Sequence, residues 1–224
     1  MLKFVILGSI FLTLIVTGAA ERPRLDDKLG QQAEAPTYGN DEFWVYGVKR
    51  FSAVNRSIDE IQKGGEFVLV PDEKRTRVFR LAEGKRLPIA RPQPLPIMLP
   101  TPRILQNISK YYDFPLYVGK KWQAPGFQGK LTSPDNEVTG IETVSTPAGT
   151  FQAFKIERVI SRTMYNGNVR RFWFTYYYSP ETRSLVKFRY EHNTLLRGAL
   201  ETLDVELVKY GTEKPNPPKA IESE

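Results

Sequence analysis

The feature that most constrains this chain is the spacing of its turn signals between residues 138 and 210. Pro147-Ala148-Gly149, Asn166-Gly167 and Ser179-Pro180-Glu181 separate alternating segments: Val138 to Thr146, Phe151 to Ile160, Val169 to Tyr178 and Leu185 to Tyr190, with Leu200 to Tyr210 last. Asn-Gly between apolar runs is the strongest short hairpin signal, and turns recurring at this interval predict an antiparallel meander. Thr146-Pro147-Ala148-Gly149-Thr150 has the chemistry of a tight reversal, because Pro147 pre-sets φ and Gly149 tolerates a positive one. It holds no nucleophile beside a base, and one glycine cannot cradle a phosphate. The motif reads as a turn.

Side-chain alternation then assigns faces. Phe172, Phe174, Tyr176 and Tyr178 point one way, while Val169, Arg171, Trp173, Thr175 and Tyr177 point the other. Large rings on both sides mean a strand that is buried twice over, lines a cavity or displays an aromatic surface. On the preceding strand Arg158 shares a face with Phe154, Ile156 and Ile160. Arg171 beside Trp173 can hold an anionic head group while neighbouring rings hold its chain, or it can stack at the sheet surface. Trp122 follows a turn at Val118-Gly119-Lys120-Lys121 and reads either as a core plug or as a platform for a sugar or acyl chain.

The N-terminal half is less regular. After a predicted flexible leader at 21–40, FWVYGVKRF, EFVLV and TRVFRLAEGKRLPI predict three strands within 41–87. Between the first two, Ser57 and Glu60 form a capping-box pattern on one short helix ending at Gly64-Gly65, with a polar loop as the alternative. Prolines at 88, 92, 94, 96, 100 and 102 exclude a central strand or a helix and predict an extended strap over 88–102, with Ile97, Met98 and Leu99 tucked against the sheet or the tract docking an aromatic groove. The main β domain is placed at 103–211 and a disordered tail at 212–224. The expected fold is mainly β: an antiparallel meander forming a curved sheet or half-open barrel, its N-terminal strands either completing that sheet or forming a small neighbouring lobe.

Composition narrows function. The 224 residues include no cysteine and one histidine, His192, so thiolate chemistry, disulfides, His-based metal clusters and most Ser-His dyads are disfavoured; no metal site or cofactor is expected. Residues 1–20 have the layout of a signal peptide: Lys3, an apolar run from Phe4 to Val16, then Gly18, Ala19 and Ala20. An uncleaved anchor is the alternative, although the apolar run is shorter than the ~20 residues of a spanning helix. Losing Lys3 with that segment lowers the formal charge from +7 to +6. The cations are interleaved with acids, unlike the stripe of a nucleic-acid binder. Asp41/Glu42, Asp59/Glu60, Glu157 and Glu181 are the carboxylates considered for glycoside hydrolysis, and each stands beside cations or in a turn.

Three segments in order, Phe114-Pro115-Leu116 with Gly119 and Trp122, Pro147 to Phe151, and Tyr177-Tyr178-Ser179-Pro180, resemble the signature of exported bacterial β-rich domains of unknown function, many of them periplasmic or lipoproteins. The resemblance covers about Tyr112 to Tyr190 and implies an envelope domain with no assigned catalytic residues. Two departures stand out: there is no lipobox cysteine, and Glu181-Thr182-Arg183-Ser184 lacks the glycine expected in that turn. The expected function is a non-catalytic protein, periplasmic or secreted, binding a lipid, acyl or glycan-like ligand in an aromatic groove of Arg171, Phe172, Trp173, Phe174, Tyr176 and Tyr178, with Trp122. The alternatives are a structural accessory subunit of an envelope complex and, more remotely, a carboxylate-based cell-wall glycan hydrolase. No nucleic-acid partner and no membrane span beyond the signal segment are expected.

Overall fold

The computed structural model describes residues 32–52, 64–72, 75–89, 95–107, 110–123, 135–163, 167, 169–194 and 199–212. Within them the chain forms β1 (Glu42–Ser52), β2 (Gly65–Asp72), β3 (Arg75–Ala82), β4 (Lys85–Pro88), β5 (Lys121–Gln123), β6 (Asp135–Thr146), β7 (Gly149–Thr163), β8 (Val169–Ser179), β9 (Ser184–Thr194) and β10 (Ala199–Thr212). These make one antiparallel sheet in the order β4-β3-β2-β1-β10-β9-β8-β7-β6-β5, curved but not closed. The N-terminal strands complete the main sheet. β1 runs beside β10 from Glu42↔Thr212 to Ser52↔Glu201, with a register shift at Val45/Tyr46 that leaves Val208 as the extra residue.

A smaller cluster of Phe43, Val45 and Val68 is buried on one face, and the other carries the main core. Tyr46, Phe67, Phe154, Tyr176 and Phe188 are sealed there, and burying each ring contributes about 1.5–3 kcal/mol. The connection between β4 and β5 lies over this face and buries Leu95, Ile97, Met98, Leu99 and Ile104. Its form corrects the expectation of an extended strap. From Leu95 it coils as a 3₁₀ turn (Leu95–Met98) and a one-turn α-helix (Pro102–Leu105). Proline is compatible with a helix at its first position, where no N–H is needed, and the N–H groups of Ile104 and Leu105 both find Thr101 O. The helix expected after Ser57 lies outside the described residues.

The leader also differs from expectation over its described part. Ala33 and Leu116 exchange backbone hydrogen bonds at 2.8 Å, and Ala33 is buried. Further on, the Tyr38 ring meets Trp44 edge-on and its hydroxyl donates to Arg183 O at 2.6 Å. These burials offset the loss of chain freedom that polar composition alone suggested would win.

The β6–β7 reversal is the turn at Pro147-Ala148, with Thr146 facing Gly149 and Gly149 at φ +142°. It also clasps the sheet. Pairing between β9 and β10 stops at Lys187↔Glu206, and the next β10 carbonyl, Leu207 O, accepts the Ala148 N–H at 3.2 Å. Phe151 then meets Tyr210 with ring centres 6.0 Å apart.

Candidate functional site

Strand registers turn the face opposite the core into a grid. One cross-strand row reads Lys155, Tyr177, Lys187, Glu206, Gly47, Glu66, from β7 through β8, β9, β10 and β1 to β2. The next reads Glu157, Thr175, Arg189, Asp204, Lys49, and the third Val159, Trp173, Glu191, Thr202. Facing side chains in such rows lie ~4.5–5.5 Å apart at Cβ, so their chemistry is shared.

Ion pairs stitch this grid. Lys187 reaches Glu206 at 2.8 Å, and Lys155 reaches Glu142 and Glu157 at 3.2 and 3.3 Å. Arg189 Nε donates to Glu191 at 2.6 Å and stands 3.9 Å from Asp204. The hydrogen bond to Glu191 holds the Arg189 guanidinium above its already high pKa, and the bond to Glu142 raises that of Lys155. Each exposed pair is worth ~0.2–1 kcal/mol. Their larger effect is to fix donors and acceptors in place.

The sequence-predicted residues divide between the two faces. Arg171 and Trp173 stand on the grid side; Trp173 is 37% exposed and faces the exposed Val159, with Val169 exposed four residues earlier on the same strand face. Phe172, Phe174, Tyr176 and Tyr178 lie on the core side. There Phe172 stacks on His192 at 5.1 Å, Phe174 meets Tyr190 at 5.1 Å and Tyr176 meets Phe188 at 5.3 Å. Tyr176 and Tyr178 are sealed, and burial raises both hydroxyls far above the usual phenol range. Trp122 is buried, and its Nε1–H donates to Lys110 O at 2.9 Å. One ligand therefore cannot touch all seven side chains at once, and the accessible pair is Arg171 and Trp173.

Two features escaped the sequence reading. The buried arginine is Arg158, with its guanidinium 5.1 Å from the Tyr111 ring centre and 5.9 Å from that of Phe174. Its shared face with Phe154 and Ile156 was the available signal. The second is a groove of about 530 Å³ where β9, β10, β1 and β2 run side by side. It is walled by Lys187, Glu206 and Glu66 and bounded by Pro147 of the clasp. Its acids and glycine are unremarkable in sequence and meet only through the β1–β10 pairing.

Among the described residues no group of three or more His, Cys, Asp or Glu is placed to hold a metal ion, and no helix is long and apolar enough to cross a membrane. No family model matches the chain, and no curated protein matches it by sequence. Solved structures that overlay on it include a protein assigned as exported, of YmcC-like fold, from Bacteroides fragilis, 14% identical with a TM-score of 0.41, covering 80% of this chain and 100% of that one. A protein assigned as a lipoprotein from Parabacteroides distasonis is 13% identical with a TM-score of 0.40 over 80% of this chain and 99% of that one. The hypothetical lipoprotein YmcC of Escherichia coli is 11% identical with a TM-score of 0.36 over 78% of this chain and 85% of that one. Identities this low leave function to be read from the chain's own residues.

Proposed function

We propose that this chain is a non-catalytic, exported envelope protein that binds an apolar or glycan-like ligand on the grid face of its sheet, with Trp173 as the ring platform and Arg171 as a flanking donor. The observation that carries the reading is Trp173 itself: a tryptophan 37% exposed near the middle of an inner strand, facing Val159 on one side and Glu191 on the other. Such a ring offers a flat apolar surface framed by polar groups, the pattern of a binding platform. Export is supported by the apolar run from Phe4 to Val16 and the small residues that follow it.

The test is native mass spectrometry of residues 21–224 and of its Trp173→Ala variant, both recovered from a bacterial envelope fraction. A lipid or glycan mass bound to the parent and lost from the variant supports the reading. A bare parent chain with a stoichiometric protein partner overturns it in favour of an accessory subunit. One observation favours that second reading: β5 pairs with only Asp135 to Glu137 of β6, so β6 from Thr139 to Thr146 has no strand on its outer side among the described residues. The opposite edge, β4, carries Lys85, Arg86 and Pro88, which discourage strand addition.

A further inference from the structure

We propose that the groove over Gly47 is a saccharide subsite that takes an uncharged, hydroxyl-bearing ring; this rests on the grid face being the binding face and names the ligand class. The groove exists because of a missing side chain. In the row Lys187, Glu206, Gly47, Glu66, only position 47 lacks one, and a Cβ there would meet Val208 Cγ2 at 3.2 Å. The gap leaves Glu206 and Glu66 on either side of bare backbone. Its volume of about 530 Å³ falls within the range of small-ligand sites.

The lining selects the chemistry. Three acids, Glu66, Asp204 and Glu206, face three cations, Lys49, Lys187 and Arg189, so the groove has no net charge with which to attract a polyanion or a polycation. It offers instead fixed donors and acceptors side by side, which suits vicinal hydroxyls that both give and take hydrogen bonds. Val208 and Pro147 add apolar patches for the C–H face of a sugar ring. One acceptor is waiting: Asp204 Oδ1 is buried and accepts no hydrogen bond among the described residues, with the Arg189 Nε 3.9 Å away. The Asp204 side chain is 32% exposed beside Arg189, so the carboxylate keeps acceptor capacity that a ligand hydroxyl entering the groove can use. The subsite also shares its face with the Trp173 platform. Arg189 lies in the groove and bonds Glu191, which is the cross-strand neighbour of Trp173. Gly47 lies three strands across and four residues along from Trp173, about 20 Å by sheet spacings, so a trisaccharide occupies one place or the other and only a longer chain reaches both.

The experiment is titration calorimetry, backed by saturation-transfer NMR, of residues 21–224 with five trisaccharides: the uncharged chitotriose, cellotriose and maltotriose, the anionic trigalacturonate and the cationic glucosamine trimer. The variants are Gly47→Val, which fills the groove, the isosteric Asp204→Asn, which removes the waiting charge without changing shape, and Trp173→Ala; circular dichroism checks that each is folded. At least one uncharged trimer should bind more tightly than both charged ones, and Gly47→Val and Asp204→Asn should each weaken it by about ten-fold or more. If Trp173→Ala weakens binding while both groove variants bind like the parent, the subsite is overturned and the platform stands. Preference for a charged trimer overturns the ligand class. If no trimer binds, the subsite is overturned, and the mass-spectrometry comparison above then decides the platform separately. Cleavage of a bound trimer would overturn the non-catalytic reading as well.

Discussion

Replacing Arg183 with glycine and with alanine separates two opposing effects at the β8–β9 turn. Arg183 holds φ +55°, a region that favours glycine, and a non-glycine residue there stores ~1 kcal/mol or more of strain. Its guanidinium offsets this by donating to Thr37 O at 2.8 Å, pairing with Glu42 and lying 6.0 Å from the Tyr38 ring centre. The Glu42 side chain is 12% exposed and that of Arg183 39%, so the pair sits between surface and core. A charge-assisted hydrogen bond of ~1.5 kcal/mol and a half-exposed ion pair of ~0.5–1 kcal/mol give about 2–2.5 kcal/mol of ties. Arg183→Ala loses the ties and keeps the strain, and should be destabilised by roughly that 2–2.5 kcal/mol. Arg183→Gly regains ~1 kcal/mol of strain and should fall only ~1–1.5 kcal/mol short of the parent. Urea unfolding followed by tryptophan fluorescence reads this directly, since Trp44 Nε1–H donates to Thr182 O in the same turn. In a melt the gap between the variants should be ~2–4 °C. Equal stability of the two variants would remove the strain from the account, and a glycine variant as stable as the parent would remove the ties.

The buried phenols predict an alkaline limit. Burial raises the Tyr38, Tyr46, Tyr112, Tyr176 and Tyr178 hydroxyls above the ordinary value of 10.0. Above that value the unfolded chain binds fewer protons than the folded one, so stability is flat below pH ~10 and falls as pH rises beyond it. Tyrosinate absorbance should therefore appear together with loss of structure, and smooth ionisation of a folded chain would contradict the burial. Trp122→Phe keeps the ring but strands the Lys110 carbonyl, for an expected loss of ~1–2 kcal/mol in urea unfolding; no change would mean that the bond carries no net stability. Trp173→Ala should cost less than truncating a sealed ring, about 1–2 kcal/mol in urea unfolding, because the residue is 37% exposed and the rest of the ring lies against the sheet.

The local order of this molecule was readable, and its long-range order was not. Alternation from Val169 to Tyr178 assigned Phe172, Phe174, Tyr176 and Tyr178 to one face correctly because a period of two is a property of the strand alone. Pro147 to Gly149 announced its turn for the same reason. Nothing local says that β1 chooses β10, and the groove follows from that choice: Gly47 matters only because Glu206 and Glu66 arrive on either side of it. In the proline-rich connection the number of prolines points to an extended strap, but their positions decide the form, and Pro102 sits where a helix accepts one. Arg158 shares a face with Phe154 and Ile156, and Arg171, two residues from Trp173, shares the face of that ring; alternation sorts side chains between two faces but does not say which face the rest of the chain covers, so it could not tell that Arg158 is the buried arginine.

The seam between β1 and β10 also sets when the protein can exist. Every other strand pair joins neighbours in sequence, whereas this one waits for the final 14-residue strand, Ala199–Thr212. A nascent or threading chain thus holds two separate ribbons, β1 to β4 and β5 to β9, each short of a partner on one side. Long-range closure of this kind is slow compared with hairpin formation. The two arms become one sheet only when the last strand arrives between β1 and β9.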